Sequence, residues 1–204
     1  MMIILDNITD RIFGKNTEGF QNIMEYMNSD QCFINALENE IDNIIEETNW
    51  VERSIHVLAK GNKAIIDLIE TYTSQNAHKE ECNDKELFEK LYEIPKEYRS
   101  KLPRGLIVFH GSPSKEIPGK ILKPFSVSLS DRIAHKFKRM DKMEGDVWII
   151  DVQSDNVEGI FIGPGPIVNE YEFLILSSHS IIPVPTPTEN KGIRYISIVD
   201  TKEA

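Results

Sequence analysis

Apolar positions in the first hundred residues recur with helical spacing. Phe33, Leu37, Ile41, Ile44 and Ile45 form one stripe, with Glu38, Glu40, Asp42, Glu46 and Glu47 largely off it, and Asp30 stands where an N-cap belongs. A second stripe uses Val51, Ile55 and Leu58, then Ile65, Ile66 and Ile69, and Gly61-Asn62 between them predicts a break. A shorter helix is expected over Asp84–Tyr92, capped by Asn83 or Asp84 and stopped before Pro95. The polar stretch Ser74–Asn83 reads as a connector.

After Pro103 the period changes. Leu106–Phe109, Val147–Val152 and Phe173–Leu176 are short apolar runs, and Ile193–Val199 alternates after the turn-like Glu189-Asn190-Lys191-Gly192. These predict strands, as does the short piece that carries Ser126 and Ser128 on one face. One helix interrupts them, over Asp131–Arg139, with Ser130 as N-cap and Ile133, Ala134 and Phe137 turned inward. The proline-spaced Pro183–Pro187 should be extended. Helices first and strands afterwards predict an α+β fold rather than alternating βαβ units. The change of texture divides the chain into a helical part, 1–100, and a strand-rich part, 101–204, within one compact body.

Charge follows the same division. Residues 1–100 carry 10 Lys+Arg against 20 Asp+Glu, whereas residues 101–204 carry 13 against 13, so the whole net charge of -10 belongs to the helical half. An acidic surface of that kind is a poor match for nucleic acid and reads equally as a solvated helical face. With 40% hydrophobic and 27% charged residues the composition is that of a soluble globular protein. No apolar run has the length of a membrane span, and Met1–Leu5 is too short for a signal peptide, which leads to an expected cytoplasmic location without membrane contact. Cys32 and Cys82 stand alone and read as reduced thiols, not as zinc ligands or a disulfide.

Walker A, HExxH, GxSxG and complete GxGxxG patterns are absent. Three short pieces remain. Phe109-His110-Gly111-Ser112 ends an apolar run in a polar residue and a glycine, either a plain strand exit or a place where a ligand meets the backbone. Phe125–Phe137, FSVSLSDRIAHKF, joins the two serines to a capped helix, which alone is common structural grammar. In Ile167–Leu176, IVNEYEFLIL, Glu170 and Glu172 precede an apolar strand, and period-two alternation predicts them on one face. Two carboxylates so close cost free energy unless water, a counter-charge or a substrate relieves them, so this is an exposed strand end or a site.

Taken in order, these pieces resemble the ADP-ribosyltransferase superfamily, whose toxin-like and phage members carry an Arg, an STS motif and an ExE motif. Ser126-Val127-Ser128-Leu129 through Ala134 and Phe137 matches STSLxxxxAxxF without a gap, and the resemblance spans roughly residues 104–200. It implies a helical N-terminal lobe packed on a core of two small, mostly antiparallel sheets. It further implies NAD as co-substrate, no metal, and transfer of ADP-ribose to a target protein, with arginine suggested by ExE. On this resemblance Glu172 stabilises the positive charge developing on the ribose, and Glu170 orients and deprotonates the acceptor. Ser126 holds the catalytic glutamate, Ser128 supports the pocket, and the Gly111 backbone in the His110-Gly111-Ser112 segment grips the nicotinamide amide.

One position departs from the pattern. His110 stands where the ExE members have Arg, and resembles the His-Gly-Ser/Thr of the poly-ADP-ribose polymerase and diphtheria-toxin branch; Asn169-Glu170-Tyr171 echoes the former's catalytic strand and would make Glu170 the catalytic residue. The SxSLxxxxAxxF segment favours the ExE frame. A histidine can bond a ribose hydroxyl but cannot grip a diphosphate as an arginine does, and Arg132, Lys136, Lys138, Arg139 and Lys142 either supply that charge or form a solvated basic helix face. Acceptor choice is assigned to a loop over Phe161–Asn169. Small size and an Ile/Asn/Lys/Glu-rich composition suit a phage-encoded enzyme acting on host proteins. Net NAD hydrolysis, a nucleic-acid or small-molecule acceptor, and a degenerate non-catalytic binding module are the alternative readings.

Overall fold

The computed structural model describes residues 54–74, 85–102, 104–112, 116–129, 133–134, 145–164, 169–184 and 192–201. The expected helix around Phe33–Ile45, both cysteines, and Ser130, Phe137 and the basic residues beside them lie outside the described residues. Among the described residues three helices precede the strands: α1 (Ile55–Leu58), α2 (Lys63–Ser74) and α3 (Lys85–Tyr92). The predicted break falls at Gly61, whose φ of 91° is a left-handed conformation that costs a glycine little. Asn62 then caps α2, its Oδ1 accepting the Ile65 N–H at 3.4 Å. Ile65, Ile69 and Tyr72 are buried at i, i+4 and i+7, while Lys63, Asp67 and Glu70 are exposed. In α3 the spacing Leu87–Leu91 buries one face, and the Arg99 guanidinium donates to the carbonyls of Tyr92, its last residue, and of Ile94 just beyond.

The strands are β1 (Ser100–Lys101), β2 (Ile107–Ser112), β3 (Phe125–Ser128), β4 (Asp146–Val152), β5 (Glu158–Pro164), β6 (Asn169–Ile175), β7 (Ser180–Pro183) and β8 (Ile193–Val199). Two separate small sheets were expected. Instead the strands form one eight-stranded sheet in the order β1-β5-β6-β3-β2-β4-β8-β7. Every neighbouring pair is antiparallel except β4 and β8. A trace of the expected division survives at the centre, where β2 and β3 share the single register pair Phe109↔Ser128.

Three apolar clusters hold the sheet. Val127, Phe161 and Phe173 from one half pack with Val108, Trp148 and Ile196 from the other, so the two halves face each other across a common core. The opposite side of β5 and β6 presents Ile160, Ile162, Leu174 and Leu176 to the helices, against Ile55, Ile69 and Leu91. Because β5 and β6 bury both faces, their sequences Ile160-Phe161-Ile162 and Phe173–Leu176 are continuous apolar runs. A third cluster places Ala134, in a helical segment with Ile133, on Phe109, Val147 and Ile149. That is the inward side expected for this helix.

Two boundaries differ from the sequence reading. Phe161–Pro164, assigned to an acceptor loop, belong to β5, which leaves 165–168 between the strands, outside the described residues. Gly159 and Gly163 within it interrupt the periodicity that would have marked a strand. His110-Gly111-Ser112, read as the close of a strand, continue β2 in register with Trp148, Val147 and Asp146.

Candidate active site

The site forms where β3 and β6 run side by side beneath α2. β3 pairs with β6 so that Ser128 lies opposite Glu172 and Ser126 opposite Leu174. Val127 turns into the core between the sheet halves, which puts Ser126 and Ser128 on the other face, as the alternation predicted. From there Ser126 reaches diagonally, and its Oγ donates to Glu172 Oε1 at 2.6 Å. The helical layer supplies a second donor to the same atom: Tyr72 OH, on α2, donates to Glu172 Oε1 at 3.0 Å. Glu172 is 4% exposed. No hydrogen bond reaches its Oε2 from any described residue.

Burial pushes the Glu172 carboxyl above the ordinary carboxylate range; the Ser126 hydroxyl, and then the Tyr72 hydroxyl, act against that rise. The result is a carboxylate in a low-dielectric setting, oriented at one oxygen. Such a group interacts strongly with positive charge brought to its other oxygen.

Backbone geometry around Glu172 is irregular. Tyr171 has φ 46°, unusual for a residue with a side chain, and the pairing of β5 with β6 shifts register between Phe161 and Gly163 and again between Gly163 and Pro164. A bulge of this kind re-aims the side chains beside it. Simple alternation therefore does not carry across Tyr171, and the expectation that Glu170 shares a face with Glu172 loses its basis. Glu170 lies in β6 by its backbone; its side chain is outside the described residues.

His110 joins the site through the backbone. Its Nδ1 is 2.7 Å from the Ser126 carbonyl oxygen, and its ring sits 4.5 Å from that of Phe125 and 5.0 Å from that of Trp148. On β2 it alternates with Phe109, so it shares the side of Val108, facing the inter-half core. Desolvation lowers its pKa to about 4, against the Ser126 carbonyl, with Lys123 nearby lowering it further. The neutral imidazole therefore donates Nδ1–H to Ser126 and braces β3 against β2. Gly111 lies two residues past Phe109, the β2 member of the single β2–β3 pair, so its edge toward β3 has no strand partner among the described residues. Ser112, fully buried, ends β2 opposite Asp146.

Of the residues singled out in the sequence, Glu172 and Ser126 are thus joined directly, Ser128 by register and His110 through a carbonyl. Gly111 and Ser112 follow on β2. Tyr72 was not singled out. The signal was present in its position on the Ile65-Ile69 stripe, since a tyrosine on an apolar helix face carries a hydroxyl that must find a buried partner.

No protein-family model matches the chain, and no curated protein sequence does either. Among solved structures it is similar to Vis toxin, an ADP-ribosyltransferase from Vibrio splendidus, at 14% identity over 86% of this chain and 88% of that one, with a TM-score of 0.46. Two further similar structures are Vis in complex with the M6 inhibitor (14% identity, 98% and 85% covered, TM-score 0.36) and Vis in complex with agmatine (13%, 98% and 85%, 0.32).

Proposed function

We propose that the protein is a mono-ADP-ribosyltransferase that uses NAD as co-substrate and transfers ADP-ribose to a protein side chain, with arginine as the acceptor. The observation that carries this reading is the buried Glu172 carboxylate, held at Oε1 by Ser126 and Tyr72 and unengaged at Oε2 by the described residues. It stands at the position that the motif resemblance gives to the catalytic glutamate, with the first serine of the SxS segment as its partner.

In this reaction the bond between the ribose C1′ and the nicotinamide nitrogen breaks, and its electron pair leaves with nicotinamide, neutralising the pyridinium. The sugar becomes an oxocarbenium-like cation. A fixed carboxylate oxygen beside it interacts more strongly with that cation than with the ground-state sugar, and such differential binding lowers the barrier. A guanidinium nitrogen then attacks C1′ and gives up a proton, the step for which Glu170 is the proposed base. Gly111, whose edge toward β3 has no strand partner among the described residues, is the proposed partner of the nicotinamide amide. His110 acts in this scheme as a brace for β3 and not as a grip on the diphosphate.

The experiment is incubation of the pure protein with NAD labelled in its adenine half, with a bacterial lysate or agmatine as a guanidinium acceptor, and measurement of both label transfer and free nicotinamide. Transfer with stoichiometric nicotinamide release is expected. Absence of both overturns the proposal. Glu172→Gln should abolish both products, whereas Glu170→Gln should lose transfer and keep slow NAD hydrolysis. Loss of hydrolysis in Glu170→Gln alone would instead support the polymerase-like frame.

A further inference from the structure

We infer that Tyr72 is a positioning residue for Glu172, which makes the helical layer part of the active site and not a scaffold beside it. The inference rests on the function proposed above for Glu172. Both donors, from α2 and from β3, converge on the same oxygen, at 3.0 Å and 2.6 Å. The terminal torsion of a glutamate is soft, so a single hydroxyl fixes one oxygen and leaves the carboxylate plane free to swing. Two hydroxyls arriving from different elements fix the plane and with it the direction of Oε2.

The anchor behind Tyr72 is buried packing. Ile65 and Ile69, on the same face of α2, pack with Ile160 and Leu174 of β5 and β6, so the hydroxyl is carried by a helix seated on the strand that holds Glu172. Tyr72 is 2% exposed. Satisfying a buried hydroxyl does not by itself call for a carboxylate, since a neutral acceptor would serve without the cost of burying a charge. The pairing is accounted for when the carboxylate is required for another reason and the tyrosine serves it.

Among the described residues, few other groups face this carboxylate. The charged residues of α2, Lys63, Asp67 and Glu70, are exposed, β3 contributes Ser126 and Ser128, and β5 places Gly163 opposite.

The test compares wild type, Tyr72→Phe, Ser126→Ala and the double variant in steady-state nicotinamide release across pH 5 to 9. Loss of a hydrogen bond to a charged group predicts a kcat about tenfold to a hundredfold lower in Tyr72→Phe, with KM for NAD within about twofold of wild type. The acid limb of the kcat profile should move to higher pH, because one of the two donors favouring the ionised form is gone. A tyrosine that only fills the core would change the melting temperature and leave the limb in place; that result overturns the inference.

The two proposals fail separately. If the wild type releases no nicotinamide, the proposed function fails, and the positioning of Glu172 is read by carbon-13 NMR of its side-chain carboxyl, assigned by its disappearance in Glu172→Gln. A higher titration midpoint in Tyr72→Phe supports the contact, and an unchanged midpoint overturns it.

Discussion

Replacing Glu172 by glutamine should make the protein more stable while removing the proposed transferase activity. The amide carbonyl can accept from Ser126 and Tyr72 as Oε1 does, and the NH2 takes the place of Oε2, which already has no partner among the described residues. Packing is therefore nearly unchanged, and charge is what differs. Burying an ionised carboxylate costs several kcal/mol, taken here as about 4, and two hydroxyl donors return about 1 kcal/mol each beyond what they give a neutral acceptor. The net gain for Glu172→Gln at high pH is then about 2 kcal/mol, or about 4–8 °C in melting temperature for a chain of this size. Its pH dependence has a definite sign. Burial holds the folded-state carboxyl above its ordinary value of 4.5, so between 4.5 and the folded value the native state keeps a proton that the unfolded state has released. Wild-type stability falls as pH rises through that window and is level beyond it. The glutamine variant has no such slope from this site. Urea unfolding at pH 4, 6 and 8 should show the two proteins close together at pH 4 and the variant ahead at pH 8. A variant less stable than wild type at pH 8, or a difference that stays constant from pH 4 to 8, would refute the reasoning.

Ser126→Ala removes the shorter of the two bonds to Glu172 and should lower kcat for nicotinamide release by about tenfold to a hundredfold, with little change in KM, as read in steady-state kinetics. His110, with a folded pKa of about 4 against 6.5 unfolded, contributes stability that is fully present above pH 6.5 and lost as pH falls toward 4; the change is at most about 3 kcal/mol, and His110→Gln should remove that part of the slope in chemical unfolding. At Gly159 an added Cβ would fall on the Leu174 carbonyl and the Phe173 ring, both fixed in the β5–β6 pairing, so Gly159→Ala should cost more than about 3 kcal/mol and show as loss of soluble, folded protein by circular dichroism.

The elements that the sequence announced are those with one clear period. α2 and α3 follow from Ile65-Ile69 and Leu87-Leu91, β4 and β8 from runs of branched residues, and Ile193–Val199 was bounded correctly by the turn before it. β5 was missed because two glycines and a proline sit within a strand, where close backbone approach to β6 and a bulge require them. The single sheet was not legible either, since one register pair between β2 and β3 leaves no pattern in either segment. In the candidate site, the contact of Ser126 with Glu172 was expected from the motif resemblance. Tyr72 was not, because the contact joins residues a hundred positions apart and depends on how a helix seats on a sheet. Nor could alternation foresee Tyr171, whose positive φ breaks the rule that had placed Glu170 and Glu172 together.

The parallel pairing of β4 with β8 also sets an order of assembly. It ties Val147 to Ile193 and so encloses β5, β6 and β7 in one loop. Closing a long loop carries an entropic cost before any contact repays it, whereas β5 and β6 are neighbours in sequence and can pair locally. The strand bearing Glu172 therefore has its partner at hand as it emerges, and β4 must wait for β8. A chain stopped before Ile193 would lack that partner and expose one edge of β4, a strand buried almost throughout, which makes addition of β8 the step that closes the sheet.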